Sequence, residues 1–203
     1  MDELEEFCSR VLGDPAGAQA IAQAARETGG DDQLQRLRYA LGRCRELEDA
    51  GAADVEPASC DATLAAAVAA ELAAATRRLP PRQREALALR ELLRLNHAQV
   101  AAVLGVDVAA VAPLLARSRL RLRAELRGVE VATSDCAERD RLLRAATLRH
   151  DREGLSDEDA DWLIDHLGHC NDCVRAHAAM LEGSACYRGW RTQPGPTPTA
   201  AQT

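Results

Sequence analysis

A short run in the last third of the chain constrains its fold most, because it combines an imidazole with a paired thiol motif. The run is His166-Leu-Gly-His-Cys170-Asn-Asp-Cys173. Imidazole nitrogen and thiolate sulfur suit tetrahedral Zn²⁺. An acidic, amphipathic segment, 155–167, precedes the cysteines and can hold the first ligand on a helix. The spacing therefore predicts a small helical module built around a structural zinc ion.

A structural zinc site needs one more ligand than this run supplies at the matching spacing. Cys136 is the best candidate, because it opens the preceding helical stretch and a helix hairpin would bring it back to the run. His169 and His177 are the alternatives. From the residues alone, the Cys-x-x-Cys pair is also compatible with a redox dithiol or with two buried thiols. The remaining cysteines have no paired spacing and are typical of small core residues: Cys8, Cys44, Cys60 and Cys186.

Length and composition predict an all-α protein. The chain has 203 residues, only 2% aromatic residues, and abundant Ala, Leu and Arg, which favours small helical bundles. Nothing at the start resembles a signal peptide, and the longest apolar run, 65–75, is short and interrupted by Glu71. We therefore expect a cytoplasmic protein without a membrane span. In a reducing compartment, its seven cysteines are expected to be thiols or metal ligands rather than disulfides.

Charge is segregated along the chain, although the net charge is −7. Residues 1–63 carry 6 Arg and 14 acidic residues, residues 64–127 carry 11 Arg and 5 acidic residues, and residues 128–185 carry 6 Arg and 13 acidic residues. The middle segment therefore has a net charge of +6 between two acidic flanks. Such a segment is a plausible nucleic-acid footprint, and the alternative is a set of ordinary solvated helix faces.

Glycine, proline and acidic residues divide the chain into segments. Two or three short helices are predicted in 1–47, followed by a linker at 48–60 and a helical domain at 61–128. Within that domain, one helix is predicted over 61–78, and another begins at Pro80-Pro81 and runs to about residue 95. The tail at 191–203, rich in Pro, Thr and Ala, is predicted to be disordered.

A helix-turn-helix pattern occupies the middle of the basic segment. Asn96 and Gln99 form a capping box for a short helix, 97–104, which ends at Gly105. Asp107 can cap the following helix. The apolar side chains expected to face inward are Val100, Val103, Leu104, Val106 and Val111. From the pattern alone, any pair of antiparallel helices remains the alternative.

The same segment resembles a known DNA-reading domain. The stretch Leu79-Pro-Pro-Arg-Gln-Arg-Glu-Ala-Leu-Ala-Leu-Arg-Glu-Leu-Leu-Arg-Leu-Asn-His-Ala-Gln-Val-Ala-Ala-Val-Leu-Gly-Val106, with Arg117-Ser-Arg-Leu-Arg-Leu-Arg-Ala-Glu-Leu126, is similar to the C-terminal domain of extracytoplasmic-function sigma factors. The resemblance implies a four-helix bundle whose last helix, from Val108 to about Leu126, enters the major groove of promoter DNA. It also implies core RNA polymerase as a partner. The segment 1–47 resembles a degenerate form of the other sigma domain, through Arg10-Val-Leu-Gly-Asp-Pro-Ala16 and 37–45.

The predicted recognition helix departs from that family where it would read DNA. Family members commonly carry a Thr-Val-Lys-Ser-Arg-like run, whereas this chain has Ala110-Val-Ala-Pro-Leu114. Pro113 lies about six residues into the helix, which predicts a kinked or shortened helix. The arginines that follow can still hold DNA phosphates, and we expect salt-sensitive, weakly specific binding. The candidate DNA-binding residues are Arg117, Arg119, Arg121 and Arg123.

Residues 134–185 resemble the zinc-binding anti-sigma domain that normally forms a separate protein. The resemblance rests on Cys136, on Leu142-Leu-Arg-Ala, on Gly154-Leu-Ser-Asp-Glu-Asp-Ala160 and on the His166-x-x-x-Cys170-x-x-Cys173 run. It implies a zinc site with four ligands: Cys136, His166, Cys170 and Cys173. In that family the domain blocks polymerase binding by a sigma factor.

Two hypotheses about function follow. The first is a sigma-like transcription regulator whose fused zinc domain restrains its own DNA- or polymerase-binding domain. The second is a zinc-dependent anti-sigma or interaction module that no longer binds DNA and docks on another sigma factor. An enzyme is not expected, since a zinc ion with four protein ligands has no open position and no catalytic pattern stands out in the sequence.

Overall fold

The computed structural model describes residues 2–50, 64–129 and 136–190, and the all-α class is confirmed. Within these ranges the chain forms ten α-helices and one short π-helical segment, and no strand. The structure leaves Cys60, part of the predicted linker and the tail at 191–203 outside the described residues.

The first three helices are separated at the predicted glycine-containing turns. They are α1 (Glu3–Leu12), α2 (Pro15–Thr28) and α3 (Gln33–Asp49). Each begins at an aspartate whose side chain accepts backbone N–H bonds: Asp2, Asp14 and Asp32. Helix α3 ends two residues beyond the predicted boundary at residue 47, so the predicted linker begins inside a helix.

The middle segment contains α4 (Leu64–Arg77), α5 (Pro81–Leu87), a π-helical segment (Ala88–Leu92), α6 (His97–Leu104) and α7 (Val108–Arg127). Pro81 is the first residue of α5, as predicted. The prediction that this helix runs to residue 95 is wrong, because the chain widens into the π-helical segment after Leu87. Such segments are frequent at functional sites, and this one carries Arg90 and Glu91.

The helix-turn-helix prediction agrees with the structure. Asn96 and Gln99 form the capping box of α6, and Gly105 ends it in the left-handed conformation, at φ 68°. The expected shortening of the recognition helix is wrong, since α7 continues through Pro113 over 20 residues. The missing proline N–H would have bonded to the carbonyl of Ala109, and that residue is exposed, so water can satisfy its carbonyl group.

Three further helices complete the described chain: α8 (Arg139–Asp151), α9 (Asp157–His169) and α10 (Asn171–Gly189). They surround a small core that also includes Ala116 and Leu120 of α7. A larger core joins the N-terminal helices to the helix-turn-helix, and Tyr187 and Trp190 from the end of α10 belong to it. The helix-turn-helix therefore shares buried apolar surface with both flanking segments. No single described helix is long and apolar enough to cross a membrane, and one bent pair, α6 with α7, meets that test by length and composition only.

Candidate functional site

Four predicted metal ligands lie together at the base of the C-terminal helices. One ligand atom each from Cys136, His166, Cys170 and Cys173 lies within 4.8 Å of all the others. Cys136 precedes α8, His166 is in the last turn of α9, and the two remaining cysteines flank the start of α10. The helix hairpin formed by α8 and α9 thus returns Cys136 to the Cys-x-x-Cys pair, as the sequence predicted.

The donor set and its spacing fit a tetrahedral zinc ion. Cys136 Sγ lies 3.5 Å from His166 Nε2. Zn–S bonds of about 2.3 Å and Zn–N bonds of about 2.0–2.1 Å place sulfur and nitrogen ligands about 3.6 Å apart in a tetrahedron. Backbone hydrogen bonding by the Cys173 N–H lowers the pKa of the Cys170 thiol, which favours the thiolate form that binds metals. The cluster can therefore hold a metal ion.

Neighbouring side chains fix the orientation of the histidine ligand. The Trp162 ring stacks on His166 with the ring centroids 4.9 Å apart, and the Arg141 guanidinium lies 4.2 Å from the Trp162 centroid. The alternative ligands lie elsewhere. His169 is exposed and its Nδ1 lies 2.8 Å from the Asp165 backbone oxygen, and His177 is half-buried outside the cluster.

A second functional feature is a buried polar network where the C-terminal helices meet the helix-turn-helix. Its centre is Arg119 of α7, whose side chain is fully buried. Arg119 Nε donates to Glu91 Oε1 at 2.7 Å, and Nη2 donates to Asp151 Oδ1 at 2.6 Å. Both carboxylates are also fully buried. Buried charges are stable only when they are paired, so these three groups depend on the packing of α8–α10 against the helix-turn-helix. We call this packing the docked arrangement.

Asp151, the last residue of α8, bonds to two parts of the helix-turn-helix. Its Oδ2 lies 2.9 Å from His97 Nε2, and its backbone oxygen accepts a bond of 2.5 Å from Arg90 Nη2. Burial alone would raise the pKa of the Asp151 carboxyl, but the His97 hydrogen bond and the Arg119 charge hold it well below its usual range. Asp151 therefore remains an anion in this interface.

Glu91 is the corresponding anion on the side of the helix-turn-helix. Besides Arg119, it accepts hydrogen bonds from two residues of α10, Ser184 Oγ at 3.0 Å and Arg188 Nε at 2.5 Å. His150 Nε2 lies 3.0 Å from the same Ser184 hydroxyl. The network thus links the π-helical segment, α7, α8 and α10 through hydrogen bonds and ion pairs.

The network also contains a group of potential metal ligands, Glu91, His150 and Asp151. We interpret this group as an ion-pair cluster, because the guanidinium groups of Arg119 and Arg188 already occupy the carboxylate oxygens. A divalent ion would add positive charge beside these buried cations.

The four predicted DNA-binding arginines lie in different environments. Arg119 is buried in the network, so its side chain is not exposed to a nucleic acid in this arrangement. Arg123 is half-buried and its Nε donates to Glu182 of α10 at 3.2 Å. Arg121 is exposed and pairs with Glu125 one turn along the helix, and Arg117 is exposed. Only Arg117 and Arg121 of the four therefore present an exposed guanidinium group to a nucleic acid.

Helix α10 lies unusually close to α7 at Gly183. A Cβ atom added at Gly183 would be 2.1 Å from the Arg119 carbonyl oxygen and 3.2 Å from the Arg119 Cα atom. These neighbours are backbone atoms, so they cannot rotate away as a side chain would. The absence of a side chain at this position allows the two helices to pack.

We expect the Gly183→Ala variant to lose about 1–3 kcal/mol of unfolding free energy, the usual cost of overpacking a core. The loss would occur although alanine favours helix over glycine by up to about 1 kcal/mol. Gly189→Ala in the same helix is the matched control, because its added Cβ meets nothing within 4 Å. Urea denaturation of both variants checks the prediction, and equal stabilities would contradict it.

Acidification should weaken the interface through His150. Burial, followed by the Arg119 charge, lowers the pKa of His150 in the docked chain. The pKa of His150 is therefore lower in the docked chain than in the undocked or unfolded chain. Protonation of His150 favours the state with the higher pKa, which is the undocked or unfolded state. We expect the unfolding free energy to fall as the pH drops below about 6.5, the ordinary histidine value. His177, whose pKa is also lowered by burial, acts in the same direction.

The matched variant is His150→Gln, which cannot be protonated in this range. Urea denaturation at pH 7.5 and 6.0, with the bound metal measured at each pH, should give a smaller pH effect in this variant than in the wild type. An equal pH effect would show that His150 does not contribute.

The C-terminal end of α10 also holds the N-terminal helices. Arg10 of α1 donates from Nη2 to the Trp190 carbonyl oxygen at 2.6 Å and from Nη1 to the Tyr187 carbonyl oxygen at 3.3 Å. Its guanidinium carbon lies 5.1 Å and 4.6 Å from the centroids of the Tyr187 and Trp190 rings. The C-terminal helices therefore contact both segments that resemble sigma domains.

Sequence reasoning did not find several of these interface residues. His97 of α6 is buried against Asp151. Asp159, in the acidic first turn of α9, pairs with Arg141 and Arg144 of α8. Two sequence features could have pointed to this interface: Gly183 is a glycine inside a helix, and Asp151 is an acidic residue at a helix end. Neither feature is specific for an interface.

Comparison with known families identifies the middle of the chain. Residues 69–122 match the family model described as sigma-70, region 4. The match includes α5, α6 and most of α7, the helices that carry the helix-turn-helix and Arg119. A search of curated proteins found no match, and neither did a search of solved structures. The match covers 54 of the 203 residues, and it supports a sigma-70 family member with a role in transcription.

Proposed function

We propose that this chain is a sigma-factor-like transcription regulator whose C-terminal helices form a zinc-binding domain that restrains its own helix-turn-helix. The proposal rests on the position of Arg119. This residue lies on the predicted DNA-reading helix and is buried against Asp151, which the C-terminal helices supply. Promoter DNA, core RNA polymerase and a cytoplasmic location are part of the proposal, through the sigma-70 region 4 match.

The ligand set supports zinc as the metal. Cys136, His166, Cys170 and Cys173 provide three sulfur donors and one nitrogen donor, which zinc binds as a closed structural site. When bound, zinc would cross-link the start of α8, the end of α9 and the start of α10. These helices position Asp151, Gly183 and Arg188 against the helix-turn-helix.

Release of the C-terminal helices should increase nucleic-acid binding. We would compare the zinc-loaded wild type, Gly183→Ala and Gly189→Ala by fluorescence anisotropy with labelled promoter DNA, and by co-purification with core RNA polymerase. If Gly183→Ala lowers the free-energy cost of undocking by about 1 kcal/mol or more, its affinity should rise roughly five-fold or more. Equal binding by all three proteins would contradict restraint by the C-terminal helices.

A second function is favoured by the first turn of α7. Val108, Ala109 and Ala110 are exposed there, with Val108 at 53% of its full accessibility, and none has a polar side chain to read base edges. This surface suits an interaction module, such as a zinc-dependent anti-sigma factor, that docks on another sigma factor. The Arg117→Ala/Arg121→Ala double variant separates the two functions: loss of DNA binding supports the regulator, whereas retained sigma-factor binding without DNA affinity supports the anti-sigma module.

A further inference from the structure

A cavity at the junction of α7 and α8 collects positive charge from both segments. It has a volume of about 320 Å³ and is lined by Pro113, Arg117, Asp140, Arg141, Leu143 and Arg144. Three of the six lining side chains are arginines. One comes from the helix-turn-helix and two come from the C-terminal helices, so the cavity exists only when the two segments are docked.

Arg117 supplies a cation that has no partner among the residues that the structure describes. It is exposed, and within residues 2–50, 64–129 and 136–190 it makes no hydrogen bond or ion pair. The other arginines of α7 that lie close to the C-terminal helices are paired: Arg119 with Asp151, and Arg123 and Arg127 with Glu182. The five N–H donors of Arg117 therefore remain available to a ligand.

Arg141 and Arg144 are held side by side by a single carboxylate. Asp159 accepts bonds of 3.0 and 2.9 Å from Arg141 and of 3.5 Å from Arg144. Arg141 also stacks on Trp162, which restricts its guanidinium plane. These bonds use two of the five N–H groups of Arg141 and one of the five N–H groups of Arg144. Both arginines therefore keep N–H donors for a further acceptor.

The charges around the cavity favour an anion. Three guanidinium groups face two carboxylates at the cavity, Asp140 and Asp159. A third carboxylate, Glu158, lies 3.9 Å from Arg141 but is 91% exposed, so solvent and salt screen its charge. The planar N–H fork of arginine matches phosphate oxygens better than it matches a spherical anion. The volume lies at the lower end of the range for small-ligand sites, about 300–1,000 Å³.

We propose that this cavity binds a phosphate group, held by Arg117 from α7 and by Arg141 and Arg144 from α8. The phosphate belongs to a free phosphorylated molecule, because in the proposed function DNA binds the helix-turn-helix after the C-terminal helices are released. A ligand that contacts both segments binds only the docked arrangement, so it stabilises docking by mass action. This site goes beyond the proposed function, and its test needs neither a promoter nor polymerase.

Titration of the zinc-loaded full chain with inorganic phosphate, and separately with a short duplex DNA of arbitrary sequence, tests the site. Arg117→Gln and Arg144→Gln should each weaken binding about ten-fold, the effect of losing one charged hydrogen-bond donor. Arg43→Gln is the matched control, since it removes one exposed positive charge from α3. Asp140→Asn should strengthen binding. Metal content and circular dichroism identify misfolded variants, for which the corresponding Arg→Lys variant is used.

The two titrations also distinguish the sources of the phosphate. Weaker binding of inorganic phosphate by both Arg117→Gln and Arg144→Gln supports the proposal. Weaker binding of duplex DNA alone would identify a nucleic-acid backbone as the ligand and overturn the proposal. The proposal is overturned if neither ligand binds, or if Arg117→Gln and Arg144→Gln bind as well as Arg43→Gln does.

Discussion

Replacing Cys173 with Ser should unfold most of residues 136–190. The change removes a fully buried ligand from the proposed zinc site, and structural zinc sites contribute about 10–16 kcal/mol of apparent binding free energy in small domains. The C-terminal helices have a small core with few large side chains, so we expect their folding to depend on the proposed metal ion. Hydrogen exchange should show that the backbone amides of α8, α9 and α10 lose protection. A smaller loss is expected in the part of α7 that packs against these helices.

Cys186→Ser is the control for this experiment. Cys186 is a half-buried thiol on α10 that lies outside the ligand cluster, so its replacement should leave metal content and hydrogen exchange nearly unchanged. Adding a zinc chelator to the wild type should reproduce the effect of Cys173→Ser. Unchanged protection after the metal has been removed would contradict a structural role for zinc.

Replacing Arg119 with Ala should lower the unfolding free energy by about 3–5 kcal/mol. The change leaves Glu91 and Asp151 buried without their shared cation, and uncompensated buried charge is costly. Small domains have only about 5–15 kcal/mol of total stability, so the loss is large. Urea denaturation measures it, and the pH dependence of stability should change because Asp151 loses one of the groups that lower its pKa.

Arg121→Ala separates this effect from the loss of any arginine on α7. Arg121 is exposed and pairs with Glu125 four residues along the same helix, an interaction worth about 0.3–0.5 kcal/mol. If Arg119→Ala is too unstable to purify, a double-mutant cycle of Arg119→Met and Asp151→Asn gives the coupling energy instead. A loss for Arg119→Ala as small as that for Arg121→Ala would show that the network does not stabilise docking.

Local patterns predicted much of the fold. The Asn96 and Gln99 capping box, the turn at Gly105 and the helix start at Pro81 depend on neighbouring residues, and each is present. The ligand cluster also follows from spacing, with Cys136 as the one distant member. Most of these features depend on residues that are close together in the chain, so they can be predicted from a single sequence.

The interface between segments could not be predicted in the same way. Arg119 looked like one of several equivalent basic residues, and only the tertiary structure distinguishes it by burying it between Glu91 and Asp151. The π-helical turn that carries Glu91 has no sequence signal of its own. The sequence-based prediction therefore continued α5 as an ordinary helix to residue 95. Pro113 was expected to kink or shorten the recognition helix, but α7 continues through it over 20 residues.

The contact between Arg10 and Trp190 spans 180 residues, so it has a consequence for synthesis of the chain. The ribosome completes α7 at Arg127, and 63 further residues must be added before Trp190 exists. At about 5–20 residues per second this interval lasts roughly 3–13 s. Each new chain therefore passes through a period in which the helix-turn-helix is complete but its covering helices have not yet been made.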